Sequence, residues 1–85
     1  MFYVYVLKSL KDRMLYTGST NNLKKRLWLH NQGQVNSTKS RKPFMVVYYE
    51  AYKDGHDARM REKNLKLRAN ALTQLKKRIQ GRLRD

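Results

Sequence analysis

The chain predicts an α+β domain: a small three-stranded antiparallel sheet flanked by three helices. Three observations carry that expectation. Residues 2–8 (FYVYVLK) and 44–52 (FMVVYYEAY) are rich in β-branched and aromatic side chains, as strands prefer. Residues 14–19 can return beside the first of these after the polar break Lys11-Asp12-Arg13, making a hairpin. The remaining ordered stretches carry helix caps and leucine stripes. The resulting order, β-β-α-β-α-α, contains no internal repeat, linker or low-complexity segment, so residues 1–85 read as one layered domain.

Each element has its own local reason. In strand 2–8 the period of two puts Tyr3, Tyr5 and Leu7 on one face and Phe2, Val4 and Val6 on the other. In strand 14–19, Tyr16 shares a face with Met14 and Gly18. Thr20, Asn21 and Asn22 are capping residues for a helix over 23–32, and Gly33 suits the position after its end. Gln34 to Pro43 is a polar loop. Asp54-Gly55 ends the third strand, and Asp57 can cap a helix running to about Arg68. Asn70 is placed to cap a last helix whose Leu72, Leu75, Ile79 and Leu83 form one stripe.

Composition narrows the function. Twenty basic residues stand against six acidic ones, a net charge of +14, and such an excess repels itself unless a polyanion is usually nearby. Nucleic acid is therefore the expected partner, and a membrane surface has only charge to recommend it. Phe2 to Leu7 is apolar but too short for a membrane span or a signal-peptide core. The chain has no cysteine, which excludes disulfides and thiolate metal sites and fits a reducing cytoplasm.

Helix 23–32 contains the sharpest local signal. At about 100° per residue, with Arg26 at 0°, His30 falls near 40°, Leu23 near 60°, Leu27 near 100° and Leu29 near −60°. Arg26 and His30 thus lie within the leucine arc, while Lys24, Lys25 and Trp28 lie outside it. One explanation is a cleft in which Arg26 meets a phosphate and His30 moves a proton. The other is a snorkelling arginine beside a hydrogen-bonded packing histidine. Across the hairpin, Tyr5 and Tyr16 can approach one another, and Gly18 would leave room for a substrate near the backbone. From Arg59 to Arg84 there are ten basic residues and one acid, Glu62. Glu62 can form a helical pair with Lys66, or stay ionised in a positive field and hold one hard cation. Trp28 can stack on a base or close the core beneath the last helix, and His56 reads as an exposed turn residue.

Tyr3-Val4-Tyr5, Tyr16-Thr17-Gly18, Arg26 and Glu62 within Arg61-Glu62-Lys63-Asn64-Leu65-Lys66 together resemble the GIY-YIG nuclease family. Tyr3 replaces the glycine of the first motif and Thr17 the isoleucine of the second. Ser37-Thr38-Lys39-Ser40-Arg41-Lys42-Pro43 resembles the loop of that family's short, single-domain bacterial branch. The resemblance implies a cytoplasmic, metal-dependent endonuclease that hydrolyses phosphodiester bonds, with DNA expected before RNA. Tyr5, Tyr16, Arg26, His30 and Glu62 would be catalytic, with Mg²⁺ or Mn²⁺ on Glu62. Tyr5, Tyr16 or His30 would activate the water. Gly18, Lys39, Arg41, Lys42, Lys66, Lys76, Lys77 and Arg78 would contact nucleic acid. With no room for a recognition domain, activity is expected to be weak or to depend on a protein partner. The alternative is a module of the same fold that binds nucleic acid without cutting it.

Overall fold

The computed structural model describes residues 1–83. Strand β1 (Phe2–Ser9) and strand β2 (Leu15–Thr20) form the hairpin, followed by helix α1 (Leu23–Asn31) and a 3₁₀ turn at Lys39–Arg41. Strand β3 (Phe44–Tyr52) leads to helix α2 (Gly55–Leu67), then α3 (Ala69–Arg78) and the short α4 (Gln80–Leu83). The sheet is antiparallel in the order β2-β1-β3, so the hydrophobic β1 is central and buried from Val4 to Ser9.

The alternation in β1 separates two cores. Val4 and Val6 pack with Val47, Ala58, Leu65 and Leu75 under α2 and α3. Tyr5 and Leu7 pack with Phe44, and Tyr16, Leu23, Leu27 and Val46 close around them under α1. A bulge in β3 interrupts its simple alternation: Val6 faces Tyr48 and Leu7 faces Val46, leaving Val47 as the extra residue. Beyond the bulge, Tyr48, Glu50 and Tyr52 turn toward α2. Glu50 there accepts from both tyrosine hydroxyls and from Arg61 Nε and Nη2, at 3.0 and 3.1 Å. That fork ties the sheet to α2 and leaves no carboxylate lone pair idle.

The caps differ in places from the sequence expectation. Asn22 caps α1 by accepting from Lys25 N at 3.1 Å, and Gly33 takes the left-handed backbone (φ 75°) expected after the helix. For α2 the cap is Asp54, accepting from His56 N at 2.8 Å, so Asp57 sits in the first turn instead. Asp54 wins because its extended backbone lets the carboxylate fold back onto the freed amide. Helix α3 begins at Ala69, one residue before Asn70, with Arg68 as a cap lacking a side-chain bond. The expected last helix also breaks at Ile79, whose backbone (φ −116°, ψ 24°) leaves helical geometry. The break lets both Ile79 and Leu83 reach the core that Leu75 enters.

Candidate active site

The site forms where α1 and α2 meet the hairpin, and its centre is the Tyr5 hydroxyl. Tyr5 is in the central strand with its ring buried between α1 and β2, and its hydroxyl lies 3.0 Å from His30 Nε2. Its pairing partner across the hairpin is Gly18. A Cβ on Gly18 would stand 2.4 Å from the Tyr5 oxygen and 2.6 Å from Cζ. The room expected for a substrate is therefore filled by the phenol, and the glycine is its seat. Tyr16 tilts against the same ring at 6.5 Å between centroids and meets the His30 ring edge-on at 5.1 Å.

His30 is fully enclosed, and both ring nitrogens are engaged. Nδ1 lies 2.7 Å from the Thr38 hydroxyl, which is itself 3.4 Å from the Val35 carbonyl. A carbonyl only accepts, so Thr38 gives its proton to Val35 and accepts from Nδ1–H. Nε2 is left as the acceptor of the Tyr5 hydroxyl. Burial, with the nearby Arg26 charge, lowers the His30 pKa to about 4, so the ring is neutral at pH 7. Burial also raises the Tyr5 pKa, against the pull of the nearby Arg26 charge.

Arg26 does face the sheet. Among the described residues its Nε is a buried side-chain nitrogen with no hydrogen-bond partner. A buried N–H left unmatched costs about 1–3 kcal/mol, which calls for an explanation. A snorkelling arginine brings its polar end to water; Arg26 is part-exposed as a residue, while its Nε stays inside.

Glu62 approaches from α2. Its Oε1 accepts a short hydrogen bond from Ser19 of β2, and its Oε2 pairs with Lys66 at 2.7 Å. Burial opposes ionisation of Glu62, but Lys66, Ser19 and the Arg26 charge outweigh it and hold the pKa below the usual range. Among the described residues no three His, Cys, Asp or Glu side chains cluster as a ready metal cage. The chemistry of Glu62 still suits a hard cation: it is ionised, oxygen-only and partly exposed. Such a cation would have to displace the Lys66 ammonium, which is about half-exposed and can swing away.

The expected nucleic-acid contacts are less uniform. Lys39 and Lys42 are exposed on the loop. Arg41 is committed elsewhere: its Nε is 2.6 Å from Asp12, and its guanidinium carbon lies 5.6 Å from the Phe44 ring centroid. The arginine thereby straps the loop to the hairpin. Lys66 lies over the Tyr16 ring, 5.7 Å from its centroid, as well as on Glu62. Lys76, Lys77 and Arg78 are exposed on α3, which covers the face of the sheet opposite α1. Trp28 is 58% exposed on the outside of α1 and does not close the core beneath the last helix. His56 is exposed, as expected. Two members of the site carry no signal readable from the sequence alone. Ser19 precedes the capping residues and looks like a turn serine, and Thr38 is one hydroxyl among several in its loop.

The model of the GIY-YIG catalytic domain matches residues 1–80. The chain belongs to the GIY-YIG family. It is 46% identical over 67 residues to a UPF0213 protein of Clostridium perfringens, covering 78% of this chain and 71% of that one. A UPF0213 protein of Pediococcus pentosaceus is 41% identical over 71 residues, covering 82% and 74%. One from Staphylococcus haemolyticus is 42% identical over 65 residues, covering 75% and 78%. No solved structure matches the chain. Among the described residues no helix is long and apolar enough to cross a membrane.

Proposed function

We propose that this GIY-YIG domain is a metal-dependent endonuclease that hydrolyses phosphodiester bonds in DNA, and that it works in the cytoplasm. The observation that carries the reading is the convergence on one buried hydroxyl: Tyr5 meets His30 and the seat left by Gly18, in the field of the Arg26 and Glu62 charges, and Ser19 holds Glu62. A binding module has no use for an unmatched buried Arg26 Nε or a histidine held in one tautomer.

In this mechanism Arg26 takes a non-bridging oxygen of the scissile phosphate, which supplies the missing partner of Nε and stabilises charge built up in the transition state. Tyr5 accepts the proton of the attacking water as its own passes to His30 Nε2. His30 then holds that proton, with Thr38 keeping the ring aligned. In the free protein neither group ionises at neutral pH, because burial raises the phenol and lowers the imidazole. The phosphate's negative charge favours an imidazolium, so the transfer belongs to the substrate-bound state. His30 is bonded to the Tyr5 hydroxyl and enclosed behind it, so it serves as a relay, and Tyr5, itself 1% exposed, meets the water only in the substrate-bound state. Tyr16 walls the ring stack and carries Lys66 above it. A divalent Mg²⁺ or Mn²⁺ on Glu62, when bound, supplies Lewis-acid polarisation of the phosphate. Ser19 orients the carboxylate for it. Lys39 and Lys42 are free to hold flanking phosphates.

The test is cleavage of labelled DNA and RNA, in duplex, branched and single-stranded forms, with Mg²⁺ or Mn²⁺. Glu62→Gln should abolish cutting while leaving binding unchanged or tighter. Full activity of that variant, or of wild type in EDTA, would remove the metal role.

A further inference from the structure

Helix α1 divides its face of the sheet in two. On the Arg26 side lies the candidate active site. On the Leu23–Leu27 side the sheet runs out from under the helix, leaving Tyr3 of β1 and Tyr49 of β3 with their rings edge-to-face at 6.0 Å. Tyr49 points this way because of the β3 bulge, and it is 55% exposed. The two rings, with Leu23, Leu27 and Val46, border an open groove of about 490 Å³. Asn21, Asn22 and Lys24 form its polar rim. This is the usual make-up of a small-ligand site, an apolar floor with a few polar groups at one side.

One residue, Asn21, links the groove to the neighbourhood of Glu62. Asn21 also lines a second, smaller groove with Ser19, Thr20 and Arg59. Ser19 is the residue bonded to Glu62. A strand whose phosphate sits by Arg26 and Glu62 can therefore run along Ser19-Thr20-Asn21, with Arg59 and Lys24 placed for its phosphates. Its next base then meets exposed aromatic faces. An apolar occupant without negative charge would gain nothing from Lys24 and Arg59, in a protein of net charge +14. A base held in a duplex stack cannot enter, whereas an unpaired or extruded one can.

We propose that the Tyr3–Tyr49 groove is a nucleotide subsite that takes one unpaired base of the substrate strand beside the cut. The proposal rests on the nuclease reading and adds to it a substrate class: strands that are single or opened next to the scissile phosphate. Tyr49 supplies the stacking face, Tyr3 buttresses it, and Asn21 and Asn22 offer amides to the base edge. Asn22 keeps an N–H₂ for this purpose, since its capping bond uses the oxygen.

The test uses the full chain carrying Glu62→Gln, so that nothing is cut. Its affinity is measured by fluorescence anisotropy for a labelled oligothymidylate and for an abasic deoxyribose-phosphate strand of equal length. Stacking of one base should make the thymidylate strand bind about tenfold more tightly. Adding Tyr49→Ala should reduce it to the abasic level without changing the abasic strand, and Tyr49→Phe should restore the difference. Equal affinity for both strands, or an equal loss on both in Tyr49→Ala, would overturn the subsite. Wild-type cleavage that persists alongside that result would leave the nuclease reading standing. Absence of both binding and cleavage would remove the nuclease reading and the subsite together.

Discussion

Replacing Gly18 with alanine tests the centre of the site. The new Cβ would lie 2.4 Å from the Tyr5 oxygen and 2.6 Å from Cζ. Non-bonded carbons settle at about 3.5–4.0 Å, so the phenol would have to retreat by roughly 1 Å. It has nowhere free to go, because Tyr5 is 1% exposed and edged by His30 and Tyr16. The 3.0 Å bond to His30 could not keep its geometry through a shift of that size. Overpacking costs about 1–3 kcal/mol and the lost hydrogen bond about 0.5–1.5 kcal/mol, together about 1.5–4.5 kcal/mol. A domain stable by about 5–15 kcal/mol still folds under that load, so turnover can be measured on the same preparation. We expect a lower Tm, an altered His30 imidazole resonance, and a single-turnover rate down by about 10²-fold or more. If Gly18 instead only makes room for substrate, the variant would keep its stability and its imidazole resonance and lose activity alone. Unchanged stability would refute the seat.

Four further outcomes follow from the same geometry. Because the folded His30 pKa is lowered to about 4 from an ordinary 6.5, the unfolded state binds the extra proton. Stability should therefore fall by about 3 kcal/mol as pH drops from 6.5 to 4, with no further loss from this group below that; melts from pH 7.5 to 4.5, compared with His30→Gln, check it. Arg26→Ala should leave the Tm near or above wild type by removing an unmatched buried N–H, while cleavage falls by about 10²–10³-fold. Arg26→Lys should not restore the rate, since a point charge cannot replace the planar fork, and a destabilised variant with normal turnover would return Arg26 to a packing role. Lys66→Met should tighten Mn²⁺ binding to the free protein about tenfold, read by electron paramagnetic resonance, because it removes the ammonium that pairs with Glu62 Oε2 at 2.7 Å; weaker binding would refute the displacement. Neutralising about five phosphates of duplex DNA should give a slope near −4.5 in log K against log[salt], and a flat dependence would contradict electrostatic binding.

The features legible in the sequence were those set by local pattern. The period of two in residues 2–8 placed Tyr5 and Val4 in separate cores, and the leucine arc of α1 pointed Arg26 and His30 inward. What was hidden depended on partners distant in the chain. That Gly18 seats a ring is a property of strand register, which pairs it with Tyr5. That Arg41 is bound to Asp12 depends on how a polar loop folds back, and composition alone makes it one more basic residue. The β3 bulge, which turns Tyr49 outward, leaves no mark in FMVVYYEAY because every residue there suits a strand on either face.

The strapped loop carries a consequence for how this site can vary. Arg41 on Asp12, the Ser9 hydroxyl on the Arg41 carbonyl, and the Asn31 amide bonded to Phe44 N and O fasten residues 34–44 to the hairpin and α1. The loop's buried contribution is Thr38, which decides where the imidazole keeps its hydrogen. Fold stability and proton inventory are thus written into one stretch of chain. Grafting another family member's loop here would reset which imidazole nitrogen keeps the hydrogen, and with it the direction of the Tyr5–His30 bond, even if Tyr5, Tyr16, Arg26, His30 and Glu62 were all left in place.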